Sequence, residues 1–142
     1  MLKLLKTLIT AAIVLAGANA MAQNEVEDMR STQPIPVSPR ELQERWQLLI
    51  GKIITPYIGV SCFTHNGEYR CFPTIASRYE KFVVVASDYD GADKEKIHRR
   101  CQSLSTANRC RLYPIKFKVQ NAYPNMKDDV LVIETDVIYG PK

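Results

Sequence analysis

The sequence predicts a small mixed fold, either α+β or all-β with added helices, that is held by two disulfides. Three observations indicate this fold: a hairpin signal at Asn66-Gly67 between two strand-like runs, an even set of four cysteines, and two helix-like segments among alternating apolar stretches. Together they predict one helix followed by β-β-β-α-β-β. We expect a single globular domain over residues 38–142, because a chain of this size is typical of one domain.

Residues 1–22 have the pattern of a secretory signal peptide. Lys3 and Lys6 precede a short apolar run, and small residues lead to cleavage-like positions at Ala20 and Ala22. The apolar run is shorter than the roughly 20 residues that a membrane span needs, so a retained anchor is the weaker alternative. We therefore expect a periplasmic or secreted protein that has no stable membrane insertion after signal cleavage.

Residues 23–37 are polar, charged and proline-bearing without a regular period, and we predict that they form a flexible arm. The chain has 19 Lys and Arg residues and 15 Asp and Glu residues. Two of those lysines belong to the predicted signal peptide, so the mature chain carries a net charge of +2. A charge this small does not favour nucleic acid as a partner.

The hairpin signal also predicts how the cysteines pair. A two-residue type I′ turn at Asn66-Gly67 requires positive φ at both positions, which Asn and Gly tolerate. Cys62 then faces Cys71 in a non-hydrogen-bonded pair, where side chains are closest and a disulfide can form. Four cysteines in an exported chain are typical of two disulfides, so Cys101 is left to pair with Cys110.

Two kinds of metal site are alternatives to the disulfides and to the turn at residues 88–90. The cysteines, together with His65 and His98, could ligate zinc, but structural zinc sites place paired cysteines two to four residues apart and both spacings here are nine. Asp88 and Asp90 begin like a calcium-binding EF-hand loop, but Arg99 stands where the loop requires glutamate. We therefore predict no metal and no cofactor.

The first helix is predicted from Pro39 to Ile54. Ser38 is a favourable cap, proline suits the first helical position, and a glutamate stands three residues after the cap. The apolar stripe of this helix consists of Leu42, Trp46, Leu49, Ile50 and Ile53. We expect the stripe to be buried against the rest of the domain, with Trp46 as a core anchor.

The remaining elements follow from apolar alternation and turn residues. A second helix is predicted from Gly91 to Leu104, with Ile97, Cys101 and Leu104 on its buried stripe. Residues 121–129 are predicted to be a loop. The strands are predicted at residues 57–64, 68–73, 81–87, 110–120 and 130–139.

The order β-β-β-α-β-β over about residues 57–139 resembles the OB-fold, a five-stranded barrel with a helix between its third and fourth strands. The resemblance is one of topology and depends on no sequence motif. It implies a ligand-binding face on the second and third strands and their flanking loops. The residues of that implied site are His65, Tyr69, Arg70, Tyr123 and Lys127. Aromatic and basic side chains of this kind suit stacking and contact with anionic groups.

The sequence contains no Ser-His-Asp grouping, HExxH, P-loop or GxSxG motif. Glu134 and Asp136 share one face of the last strand, where such pairs are typical of a solvated surface. We therefore predict no catalytic residues and expect a binding module that engages a protein or glycan partner in the cell envelope. Two alternatives stay open: an inhibitor or immunity-type protein against an envelope-targeted toxin, and a small exported hydrolase that uses His65 or His98.

Overall fold

A computed structural model of the chain describes residues 29–74 and 81–142. The predicted signal peptide, residues 1–22, lies outside the described residues. Pro34–Lys142 forms one compact unit, which contains all the strands described below. In the other unit, the described residues begin with a helical turn at 29–31.

The compact unit is a mixed α+β fold, as predicted, and it consists mostly of strands with few helices. In chain order its elements are β1 (Ile35–Val37), α1 (Pro39–Leu49), β2 (Ile53–Pro56), β3 (Val60–His65), β4 (Glu68–Pro73), β5 (Phe82–Asp90), α2 (Lys94–Arg100), a 3-10 helix (Leu104–Arg109), β6 (Arg111–Leu112), β7 (Phe117–Lys118), β8 (Asn121–Asn125) and β9 (Val130–Tyr139).

The strands form two sheets. A six-stranded sheet has the order β6-β3-β4-β5-β9-β8, in which β5 and β9 are parallel and the other neighbours are antiparallel. A three-stranded sheet has the order β1-β2-β7. The larger sheet is open: β6 and β8 are its edges, and no ladder joins them in the described part of the chain. The predicted closed barrel is therefore not what the strands form, because closure depends on strand tilt and stagger, which element order does not contain.

The predicted hairpin and both predicted disulfides are confirmed. Asn66 has φ 51° and Gly67 has φ 80°, as a type I′ turn requires. Cys62 lies directly opposite Cys71, with 4.1 Å between the two Cα atoms, and the pair is disulfide-bonded. Cys101 and Cys110 form the second disulfide.

The segment closed by the second disulfide protects an edge of the sheet. The backbone N–H of Cys62 donates to the carbonyl oxygen of Cys110 at 3.0 Å, and that of Thr64 donates to Cys101 at 2.9 Å. These hydrogen bonds satisfy backbone N–H groups on the outer side of β3. The two-residue strand β6 does not reach them, because it pairs only with Val60 and Ser61. An open sheet with bare edges is prone to pairing with other chains, and this segment removes part of that edge.

The first helix is shorter than predicted. Ser38 caps it by accepting a hydrogen bond from the backbone N–H of Glu41 at 3.1 Å, but the helix ends at Leu49 because Gly51, at φ 85°, turns the chain into β2. Leu42 is fully buried. Trp46 is half-buried and packs against the core, so it contributes to the core from its margin.

Other elements also differ from the prediction, and the predicted strand 110–120 is divided between β6 of the larger sheet and β7 of the smaller sheet. Residues 35–37, which were assigned to the flexible arm, form β1 and pair in parallel with β2, and residues 23–28 lie outside the described residues. The second helix ends at Arg100, so Leu104 is 67% exposed. Part of the predicted loop 121–129 forms β8, which pairs with β9 at the edge of the larger sheet.

Candidate functional site

The two faces of the six-stranded sheet have different surroundings. One face, here called the covered face, packs into a single core cluster with Leu42 of α1, Ile97 of α2 and Phe117 of β7. Its residues are Cys62, Tyr69, Cys71, Phe82, Val84, Ala86, Leu131 and Ile133. The opposite face, here called the open face, carries Phe63, Arg70, Phe72, Val83, Val85, Tyr123, Val130, Val132 and Glu134.

The open face contains a groove with a volume of about 650 Å³. Its floor is aliphatic and half-buried, and consists of Val83, Val85, Val130 and Val132. Phe63 and Phe72 stand on the β3–β4 side in an edge-to-face contact, with 6.1 Å between ring centroids. Tyr123, which is 42% exposed, stands on the β8 side. The groove therefore has an apolar floor between aromatic walls.

Charged side chains stand at one end of the groove. Cross-strand pairing places Arg70 and Glu134 on either side of Val85 in one row. The Nη2 atom of Arg70 lies 3.4 Å from the Oε2 atom of Glu68. The buried Nε of Arg70 has no hydrogen-bond partner among the described residues. Burial raises the pKa of Tyr123, and the negative charge of the nearby Glu134 raises this pKa further.

An acidic pocket of about 360 Å³ adjoins this end of the groove. The two cavities share Glu68, Val85 and Glu134 as lining residues. The acidic pocket adds Asp136, whose carboxylate accepts a hydrogen bond from the side-chain amide of Gln120. Its described lining includes three carboxylates and neither Lys nor Arg. Glu134 is half-buried and Asp136 is exposed, and both line cavities.

The structure places the five residues of the predicted site in three different surroundings. Arg70 and Tyr123 both line the groove. Tyr69 faces the opposite way, because it alternates with Arg70 along β4, and it is only 3% exposed. His65 is exposed at the turn between β3 and β4, and Lys127 is exposed in the turn between β8 and β9. Neither residue lines the groove.

Tyr69 belongs to a polar cluster at the margin of the covered face. Its ring contacts the ring of His98 edge-on, and its hydroxyl is hydrogen-bonded to the Nε2 atom of His98. Burial raises the pKa of Tyr69, while the nearby Lys94 acts in the opposite direction. Lys94 donates a hydrogen bond to Asp88 at 2.8 Å, and this bond is the main reason that the pKa of Asp88 is lowered. Neither His65 nor His98 lines the groove or the acidic pocket.

The described residues contain neither a cluster of metal ligands nor a membrane-spanning helix. No group of three or more His, Cys, Asp and Glu side chains in this part of the chain is arranged to hold a metal ion. None of the described helices is long and apolar enough to cross a membrane.

Comparison of the chain with protein-family models, with curated proteins and with solved structures found no match. The groove and the acidic pocket are the features of the described residues that bear on function.

Most of the groove could not be predicted from the sequence. The run 81–87 predicts a strand but not which of its faces is covered, because three consecutive valines give no alternation between apolar and polar residues. Val83 and Val85 are in fact on the open face, and Val84 is on the covered face. The last strand did carry a signal, since Val132 and Glu134 fall on one face and the fully buried Ile133 falls on the other.

Proposed function

We propose that this chain is an exported, disulfide-stapled binding module whose open face engages a protein or glycan partner in the cell envelope. The observation that carries this proposal is the groove, whose aliphatic floor stays half-buried between Phe72 and Tyr123. Contiguous apolar surface of this kind is typical of interaction sites, since it is costly to leave in water. The charged groups at its end supply the polar contacts that give an interface its specificity.

Export is supported by the signal-peptide pattern of residues 1–22 and by the two disulfides. Disulfides form and persist in oxidising compartments and are rare in the reducing cytosol. The envelope or the space outside the cell is thus where a partner would meet this face. The hydrolase alternative receives no such support, because the histidines on which it depends, His65 and His98, lie away from the groove. The inhibitor alternative uses the same face and differs only in making a toxin the partner.

Affinity capture from an envelope extract tests the proposal when open-face variants are compared with a matched control. The double variant Val83→Thr and Val132→Thr keeps side-chain shape and strand preference but adds hydroxyls to the groove floor. Tyr123→Ala removes one wall. Tyr57→Ala is the control, because Tyr57 is 59% exposed and does not line the groove.

We expect the wild type and Tyr57→Ala to capture the same partner, and both open-face variants to capture about tenfold less of it, as loss of central contacts produces. Circular dichroism and melting temperature verify that every variant is folded. The same partner recovered equally by all four proteins would contradict the proposal. A toxin as the captured protein would assign the inhibitor function.

A further inference from the structure

The open face changes from apolar to acidic along a single strand. Alternate residues of β9 on this face are Val130, Val132, Glu134 and Asp136. The first two belong to the groove floor, and the last belongs to the acidic pocket. Successive side chains on one face of a strand are about 6.6–6.8 Å apart, which is also the spacing of alternate side chains in an extended peptide.

The acidic end carries negative charge that its neighbours do not neutralise. Glu68 has Arg70 beside it at 3.4 Å. Asp136 instead accepts a hydrogen bond from the neutral side-chain amide of Gln120, and neither Glu134 nor Asp136 forms an ion pair among the described residues. The lining residues of the groove and the acidic pocket together include four carboxylates and two cations. The carboxylates are Glu68, Asp128, Glu134 and Asp136, and the cations are Arg70 and Lys81.

We propose that the occupant of this surface is an extended segment of a partner protein that presents two apolar side chains followed, at alternate positions, by Lys or Arg. The apolar side chains lie over Val130 and Val132, and the basic side chain enters the acidic pocket between Glu134 and Asp136. This inference rests on the proposed function and names the chemical class of its partner. Charge complementarity favours a cation at that end and disfavours an anionic side chain there.

The floor of the groove favours a peptide over a glycan. A ligand held by ring stacking needs a flat aromatic platform. The aromatic side chains of this groove stand at its walls, whereas its floor consists of the branched side chains of Val83, Val85, Val130 and Val132. Branched aliphatic surface complements leucine, valine or isoleucine side chains, and it is these residues that bury apolar area against it. An anionic ligand is disfavoured because the carboxylates outnumber the cations along the surface.

Fluorescence polarisation with designed peptides tests this inference. The probe is a labelled, end-blocked heptapeptide with Leu at positions 1 and 3, Lys at positions 5 and 7, and Thr at the positions between. A matched probe replaces both Lys residues with Glu, and a third has the composition of the first with Leu and Lys in permuted order. We expect the first probe to bind about tenfold or more tightly than either of the others, a ratio that one well-placed charge contact supplies.

The variants assign the preference to the acidic pocket. Glu134→Gln with Asp136→Asn keeps the size of both side chains and an acceptor oxygen for Gln120 but removes two charges, so we expect the preference for Lys over Glu to disappear. Asp129→Asn is the control, because Asp129 is exposed and lines neither cavity, and it should retain the full preference.

Equal affinities for the Lys and Glu probes, or no binding of any probe, would overturn the inference. The envelope capture tests the proposed function separately. If a partner is captured through Val83 and Val132 but the protein binds none of these peptides, the binding module is supported and the peptide class is rejected. A glycan recovered in that capture would likewise reject the peptide.

Discussion

Neighbouring residues of the same strands meet opposite surroundings on the two faces of the six-stranded sheet. On β5, Val84 has 0% of its surface exposed, whereas Val83 and Val85 on either side of it are half-buried. On β9 the buried Ile133 alternates with the half-buried Val132 in the same way. Apolar residues therefore serve two purposes here: on the covered face they form the core, and on the open face, apart from the buried Phe63, they form a surface that we propose is buried by a partner.

The covered face is also the face that the disulfides hold. Cys62 and Cys71 join β3 to β4 within the core, and the segment from Cys101 to Cys110 hydrogen-bonds the outer edge of β3. No disulfide joins two residues of the open face, and Leu104 is the groove-lining residue that the Cys101–Cys110 segment contributes. Stability and binding should consequently depend on different residues, and substitutions on the two faces can separate them.

The largest expected effect comes from removing the second disulfide. Cys101→Ala with Cys110→Ala releases a short closed segment whose carbonyls accept hydrogen bonds from β3, and loss of its closure entropy costs about 3 kcal/mol of unfolding free energy. Urea denaturation under oxidising conditions measures it. A loss below about 1 kcal/mol would show that the segment stays in place on β3 without its covalent bond.

The sharpest comparison uses one substitution at adjacent positions. Val84→Ala removes two methyl groups from the core and leaves a cavity, so it should cost about 2–3 kcal/mol of unfolding free energy. Val83→Ala, on the open face, should cost less than about 1 kcal/mol, because water already reaches that side chain. The effect on partner binding should be reversed, with Val83→Ala the more harmful. Equal stability losses at both positions would mean that the open face is part of the core.

The smallest expected effect concerns alkaline pH. Burial raises the pKa of Tyr69, so its neutral form is favoured in the folded state. The associated stability is fully present below the unfolded pKa of about 10 and is lost as pH rises through the folded pKa. Tyr69→Phe should flatten the decline in unfolding free energy between about pH 9 and pH 11. Tyr123→Phe, on the more exposed open face, should change it less, and equal flattening by both variants would contradict the contrast in burial.

Local features of the fold were predictable from the sequence. The turn at Asn66-Gly67 set the register that places Cys62 opposite Cys71, because its backbone requirement is met by those two residue types. The cap at Ser38 was also predictable, since it needs only neighbouring residues. The end of α1 and the strands β1 and β8 were not predictable from the sequence, because they depend on hydrogen bonds from segments that are distant in the chain.

The candidate site was less predictable than the fold. Arg70 and Tyr123 were identified through the resemblance to the OB-fold, and both line the groove. Tyr69, on the same strand as Arg70, was identified by the same argument but faces the core, since one residue along a strand reverses the face. The valine floor was missed because the sequence does not show which face of a continuous apolar strand the helices cover.

The central claim is that the open face is the binding surface, and site-specific photo-crosslinking in the producing cells tests it most directly. The photoreactive residue p-benzoylphenylalanine replaces Tyr123 on the open face or, in a control protein, the similarly exposed Tyr57 away from the groove. We expect a discrete adduct of higher mass from the position 123 protein and none from the position 57 protein. Introducing Val83→Thr and Val132→Thr should abolish that adduct. An adduct from the control position alone, or one at position 123 that survives both threonines, would contradict the claim.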